Sequence, residues 1–156
     1  MPAPTFTVTD ASSATINSIS YSNVNASTSG AVTPLLFWNN KSGLSAVSDA
    51  VQVTITTMTF LGYDGVTNID TIQNGQEVVS QNVLTVECTS NVPPDPVYTP
   101  IGGTTTWAIG DGSQGTGIIS GYTGGTYAYV NTVIVAPPGI TAGPAQFLVR
   151  LNYLYS

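Results

Sequence analysis

The chain has no histidine, one cysteine and two cations, Lys41 and Arg150, and only 6% of its residues are charged. An ordinary soluble domain carries about a quarter. Each shortage excludes something. Without histidine, neither a Ser-His-Asp nor a Cys-His arrangement can be assembled, and zinc sites built from His and Cys are closed off. Two cations and a net charge of −6 give a mild repulsion from nucleic acid and from anionic membranes. No stretch approaches the ~18 apolar residues of a membrane span. Cys88 has no partner for an internal disulfide; it alternates on the side of Leu84 and Val86, which reads as a small buried hydrophobe. We therefore expect no nucleic acid, no membrane insertion, no cofactor and no enzyme.

What is present is Thr, Ser, Gly, Asn and Val, with eight tyrosines and a hydrophobic fraction of 42%. That is enough apolar material for 156 residues to bury one core without staples. The pattern is strand-like nearly throughout. Val51, Val53 and Ile55 alternate with Gln52, Thr54 and Thr56, the period of a half-buried strand. Phe147, Val149, Leu151, Tyr153 and Tyr155 alternate with Gln146, Arg150 and Asn152, with Leu148 and Leu154 among the polar set. From Tyr127 to Val135 both faces are apolar enough to be buried. Further strands are expected at 15–24, 31–38, 78–80 with 82–89, 104–109 and 116–122; 97–101 is a candidate strand interrupted by Pro100. The one helical candidate is a turn over 42–50, where Leu44, Val47 and Ala50 share a face.

Turn chemistry separates these runs. Asp64-Gly65, Asn74-Gly75 and Asp111-Gly112 suit positive φ and signal hairpins, and Pro93-Pro94 and Pro137-Pro138-Gly139 punctuate the rest. Strands at about ten-residue spacing predict an all-β fold. We expect an antiparallel β-sandwich of about eight strands, jelly roll or immunoglobulin-like. A short extended amino-terminal arm over 1–10 should precede a single domain over 11–156. The core should include Trp38, Val53, Ile55, Phe147, Val149 and Leu151.

Candidate sites are few. The Gly-rich stretch from Gly110 to Gly117 lacks the lysine of a phosphate loop and reads as a hairpin loop. The eight carboxylates are scattered singly, so a glycosidase pair would require two of them to converge across a cleft. Asp64, Asn68 and Asp70 place three oxygen side chains close together, the ligand type calcium takes, although an ordinary loop accounts for them equally. Tyr98, Trp107 and Tyr122, with Tyr127 and Tyr129, offer flat amphipathic rings for glycan contact; a core ring is the commoner fate. Pro2 and Pro4 stiffen the amino terminus in extended form, and Phe6 and Val8 follow on one face. That segment is expected to lie along a neighbouring subunit, by strand addition or groove insertion. Met-Pro-Ala-Pro-Thr-Phe has neither a basic start nor an apolar run, so no signal peptide is expected as the sequence stands. A mature chain whose leader was removed would read the same.

The stretch Asn131-Thr-Val-Ile-Val-Ala-Pro-Pro-Gly-Ile-Thr-Ala-Gly-Pro-Ala-Gln-Phe-Leu-Val-Arg-Leu resembles the last hairpin of bacterial and phage immunoglobulin-like surface domains. There a strand ends at proline, a Gly-containing loop turns and an alternating strand closes the sandwich. The aromatic close, Asn152-Tyr-Leu-Tyr-Ser, departs from that pattern and is similar in outline to subunits of bacterial filament appendages. The resemblance implies a surface module of a larger assembly. The partners expected are copies of the chain and other subunits of that assembly, on a virion surface or outside a cell. Head decoration, tail or fibre proteins fit best; a glycan-binding adhesin or a surface-filament subunit is the alternative.

Overall fold

The computed structural model describes residues 1–59, 75–122 and 124–155. It is 37% strand and 4% helix, and its strands form two antiparallel sheets. In chain order they are β1 (Phe6–Thr9), β2 (Thr33–Asn39), β3 (Ala50–Met58), β4 (Leu84–Cys88), β5 (Thr99–Ile101), β6 (Trp107–Ala108), β7 (Ile118–Ile119), β8 (Tyr127–Ile134) and β9 (Leu148–Leu154), with one helix, α1 (Gly75–Ser80), before β4.

The larger sheet runs β1-β2-β8-β4-β5. β2 carries Leu35, Leu36, Phe37 and Trp38 in a row, and all four are buried, so this strand is covered on both faces. Leu35 and Phe37 enter the core. Trp38 lies on the other face, packed on the Tyr127 ring at 4.3 Å, and its ring N–H donates to the Thr9 hydroxyl at 2.9 Å. β8 was expected to be buried on both sides. Ala128 and Val130 do face the core, but Tyr127 and Tyr129 are half-exposed.

The smaller sheet is built on β3. β9 runs along one edge of it, from Met58 opposite Leu148 to Val51 opposite Leu154. β7 and β6 take successive positions on its other edge, opposite Ala50–Val51 and Thr54–Ile55. A bulge interrupts β3 between Val51 and Thr54, and Gln52 there has φ 52°, the left-handed conformation that one class of bulge uses. Val53 holds the split edge together, donating its N–H to Gly117 O and accepting from Ile109 N–H. Inward residues of both sheets share one core: Leu35 and Phe37 meet Val53, Ile55, Leu84 and Val130. Full burial of a side chain such as Ile55 contributes about 1.5–3 kcal/mol.

Several expectations are corrected. Residues 15–24 form no strand beyond a single bridge from Thr15 to Thr9. Ile16, Ile19 and Tyr21 pack on the core instead, and their spacing does not have the period of two. Residues 78–80 lie in α1, where Val78 and Val79 are both buried; two adjacent apolar residues suit one face of a helical turn. No helix forms over 42–50, and Leu44 is 89% exposed. Pro100 is compatible with β5 because β5 is an edge strand, where a missing N–H costs no ladder bond. The stretch 131–151 is no hairpin, since β8 and β9 belong to different sheets. Both edges of β8 are taken, by β2 and β4, which leaves β9 to pair elsewhere. Val53 and Ile55 are fully buried as expected, and Trp38 nearly so. Val149 and Leu151 are only partly buried because β9 is an edge, and Phe147, ahead of β9, is likewise partly buried.

Candidate interaction surface

The amino-terminal segment does not extend away from the domain. β1 pairs with β2 from Phe6 opposite Asn39 to Thr9 opposite Leu36. The residues ahead of it are also held: Pro2 O accepts from Ser48 N–H and Thr5 O from Asn40 N–H, while Thr5 N–H donates to Asn39 Oδ1 at 3.1 Å. Proline lacks a donor but keeps its acceptor, so Pro2 can still anchor the chain, and Pro4 is buried. Phe6 and Val8, expected to reach a neighbour, pack on their own core. Two alternating apolar residues are enough to seat an edge strand.

Asn39 organises this end of the molecule. Its buried amide donates to Ser48 O at 2.9 Å and Ile119 O at 3.1 Å, tying β2 to the loop before β3 and to β7. Asp49 next to it accepts from Ser120 Oγ at 3.0 Å, Gly121 N–H at 2.8 Å and Gln114 Nε2 at 2.9 Å. Burial pushes the Asp49 carboxyl up, but these donors more than offset it and hold it below the ordinary carboxylate value. Asp111 accepts from Ser120 N–H at 2.6 Å and from Ser113, and Gly112 follows with φ 80°, a conformation open to glycine. The two carboxylates therefore meet at Ser120. Both serve as acceptors that fasten loops, and Asp49 is shifted opposite to the direction a proton-donating acid needs.

The three rings considered for glycan contact are not brought together. Tyr98 precedes β5 at the edge of the larger sheet, beside Glu87; burial first, then Glu87, raises its phenol. Trp107 is in β6 of the other sheet, half-buried, with its ring N–H donating to Asp95 Oδ2 at 2.6 Å. Tyr122 follows β7 and is 65% exposed. Among the described residues no ring contact joins them. Asp64, Asn68 and Asp70 lie outside the described residues. Among the described residues no three His, Cys, Asp or Glu side chains gather as metal ligands, and no helix is long and apolar enough to cross a membrane.

Two features stand out instead. A groove of about 1160 Å³ opens between residues 16–26 and 140–149, floored by Leu35, Phe37 and Val83. Tyr21 and Phe147 stack there at 6.2 Å, and the Tyr21 hydroxyl is 2.7 Å from that of Thr132. Beside it runs β9. Leu148, Tyr153, Leu154 and Tyr155 are exposed large hydrophobic residues, and the Tyr153 ring sits 4.8 Å from Phe6 and 6.5 Å from Tyr155. The signal for this surface was in the sequence: Leu148 and Leu154 are leucines on the face whose other members are polar. The groove had no such signal, because the irregular course of 15–30 follows from packing.

A scan of protein-family models and a search of curated proteins gave no match to this chain.

Proposed function

We propose that the chain is a non-enzymatic structural subunit of an extracellular assembly, a phage virion protein of the decoration, tail or fibre kind, which self-associates through neutral polar and apolar surfaces. In this reading the two sheets pack as a β-sandwich, jelly roll or immunoglobulin-like. The observation that carries the proposal is the β9 edge, with Leu148, Tyr153 and Leu154 exposed and Arg150 its one charge. An apolar edge strand is a template for pairing with another chain. Docking through neutral surfaces also avoids the desolvation of buried ions, which costs several kcal/mol each. The adhesin alternative has less support, since Tyr98, Trp107 and Tyr122 stand on separate elements.

The test is the state of the chain in solution, by light scattering and negative-stain microscopy at low and at high salt. A discrete oligomer or a filament that persists at high salt is expected, because screening acts on exposed charges and few are present. A monomer at every concentration up to the solubility limit would remove the proposal.

A further inference from the structure

We infer that β9 pairs with β9 of a second copy about a two-fold axis, so that the smaller sheets of two chains join into one. This rests on the reading of the chain as a self-associating subunit, and it names the surface and the register of the contact.

The first ground is the edge itself. Among the described residues, β3 is the only strand partner of β9. It takes the backbone groups along one side of the strand, and no strand of the described residues lies against the N–H and C=O row on the other side. The second ground is how β9 differs from the other edges. Natural sheets blunt their edges with short strands, prolines and charges. β5 is three residues long and contains Pro100; β1 is four residues and follows Pro2 and Pro4; β6 and β7 are two residues each. β9 is seven residues long, with no proline, no lysine and one arginine. Among the described edges it alone is long and unprotected.

The third ground is the order of its side chains. Leu148-Val149-Arg150-Leu151-Asn152-Tyr153-Leu154 is symmetric in character about Leu151: two apolar residues, one polar, leucine, one polar, two apolar. An antiparallel pair centred there sets Leu148 opposite Leu154 of the partner subunit, Val149 opposite the partner's Tyr153, and Arg150 opposite the partner's Asn152. Every apolar residue meets an apolar one, and the only charge meets a neutral amide. Centring on Arg150 would set two guanidiniums face to face, which is unfavourable. Centring on Asn152 would set Arg150 against leucine. The charge pattern thus selects one register. Leu148 and Leu154, 37% and 57% exposed and on the face turned away from the core, would cover each other. On the core side Tyr153, already on Phe6, would extend the apolar surface across the axis.

Two variants of the full chain test this by sedimentation velocity, with far-UV circular dichroism to check the fold. Leu148→Lys with Leu154→Lys sets like charges opposite each other twice across the axis and should weaken association roughly tenfold or more. Leu148→Lys with Leu154→Glu sets opposite charges there and should return association to within about threefold of the unaltered chain. If the first variant associates like the unaltered chain, β9 is not the contact. If both are weakened alike, a different strand lies against β9, and the two-fold pairing is overturned. Either result leaves an associating parent chain and so spares the proposed function; a parent chain that never associates removes both.

Discussion

Replacing Asp95 by alanine removes one acceptor from three donors at once. Its Oδ2 takes the Cys88 N–H at 2.8 Å and the Trp107 ring N–H at 2.6 Å, and its Oδ1 takes Asn91 Nδ2 at 2.9 Å. The carboxylate thereby joins β4 of one sheet to β6 of the other through the loop over 89–98. A hydrogen bond to a charged group contributes about 1.5–3 kcal/mol net, and a buried donor left unmade carries its desolvation cost as well. The three do not count equally. Cys88 is fully buried, so its N–H has no water to turn to. Trp107 is half-buried, and Asn91 keeps a second acceptor in Ala108 O at 3.0 Å. Counting the first bond in full and the others in part gives a loss of about 3–4 kcal/mol. For a chain of this size that is roughly 10 °C in melting temperature. Asp95→Asn keeps one oxygen but turns an amide N–H₂ toward a donor, and should cost about 1–3 kcal/mol. Urea unfolding followed by tryptophan fluorescence measures both, and Trp107 reports on the site directly. An alanine variant within about 1 kcal/mol of the parent would mean that the carboxylate is not what joins the two sheets here.

Two further outcomes are expected. The Asp49 carboxyl is held below its ordinary value in the folded chain. Its contribution is therefore present above the unfolded value and is lost as pH falls through the folded one. Urea midpoints should decline in acid, below about pH 4, and decline less steeply for Asp49→Asn; parallel curves would contradict the assignment. Cys88 is fully enclosed, and burial pushes its thiol up, so it should resist iodoacetamide in native buffer and react fully in urea. Labelling of the folded chain at the rate of a free thiol would contradict its placement in the core.

Much of the local structure was legible in the chain. Alternation located β3, β8 and β9, because a strand with one face against a core must repeat with period two. The scarcity of charge was likewise a property of composition alone. The Asp111-Gly112 pair announced a turn because glycine tolerates the positive φ found there. Where the alternation broke, at Ile16, Ile19 and Tyr21, a strand was expected and an irregular segment formed.

Partners are a different matter. Period two says which face of a strand is buried, and it carries no information about which strand lies beside it. β8 and β9 have the sequence of neighbours, yet β8 lies between β2 and β4 while β9 closes on β3. Phe6 and Val8 could serve a neighbour's sheet as well as their own; the free edge of β2 and the anchor at Asn39 keep them at home. Trp107 could stack on a sugar or donate to a carboxylate, and the loop that brings Asp95 to it decides. Composition and periodicity are local, so the chain by itself determined a mostly β, weakly charged protein and the places of β3, β8 and β9. Pairing and hydrogen-bond partnership join residues far apart in sequence, so only the tertiary structure decided which edge was left open.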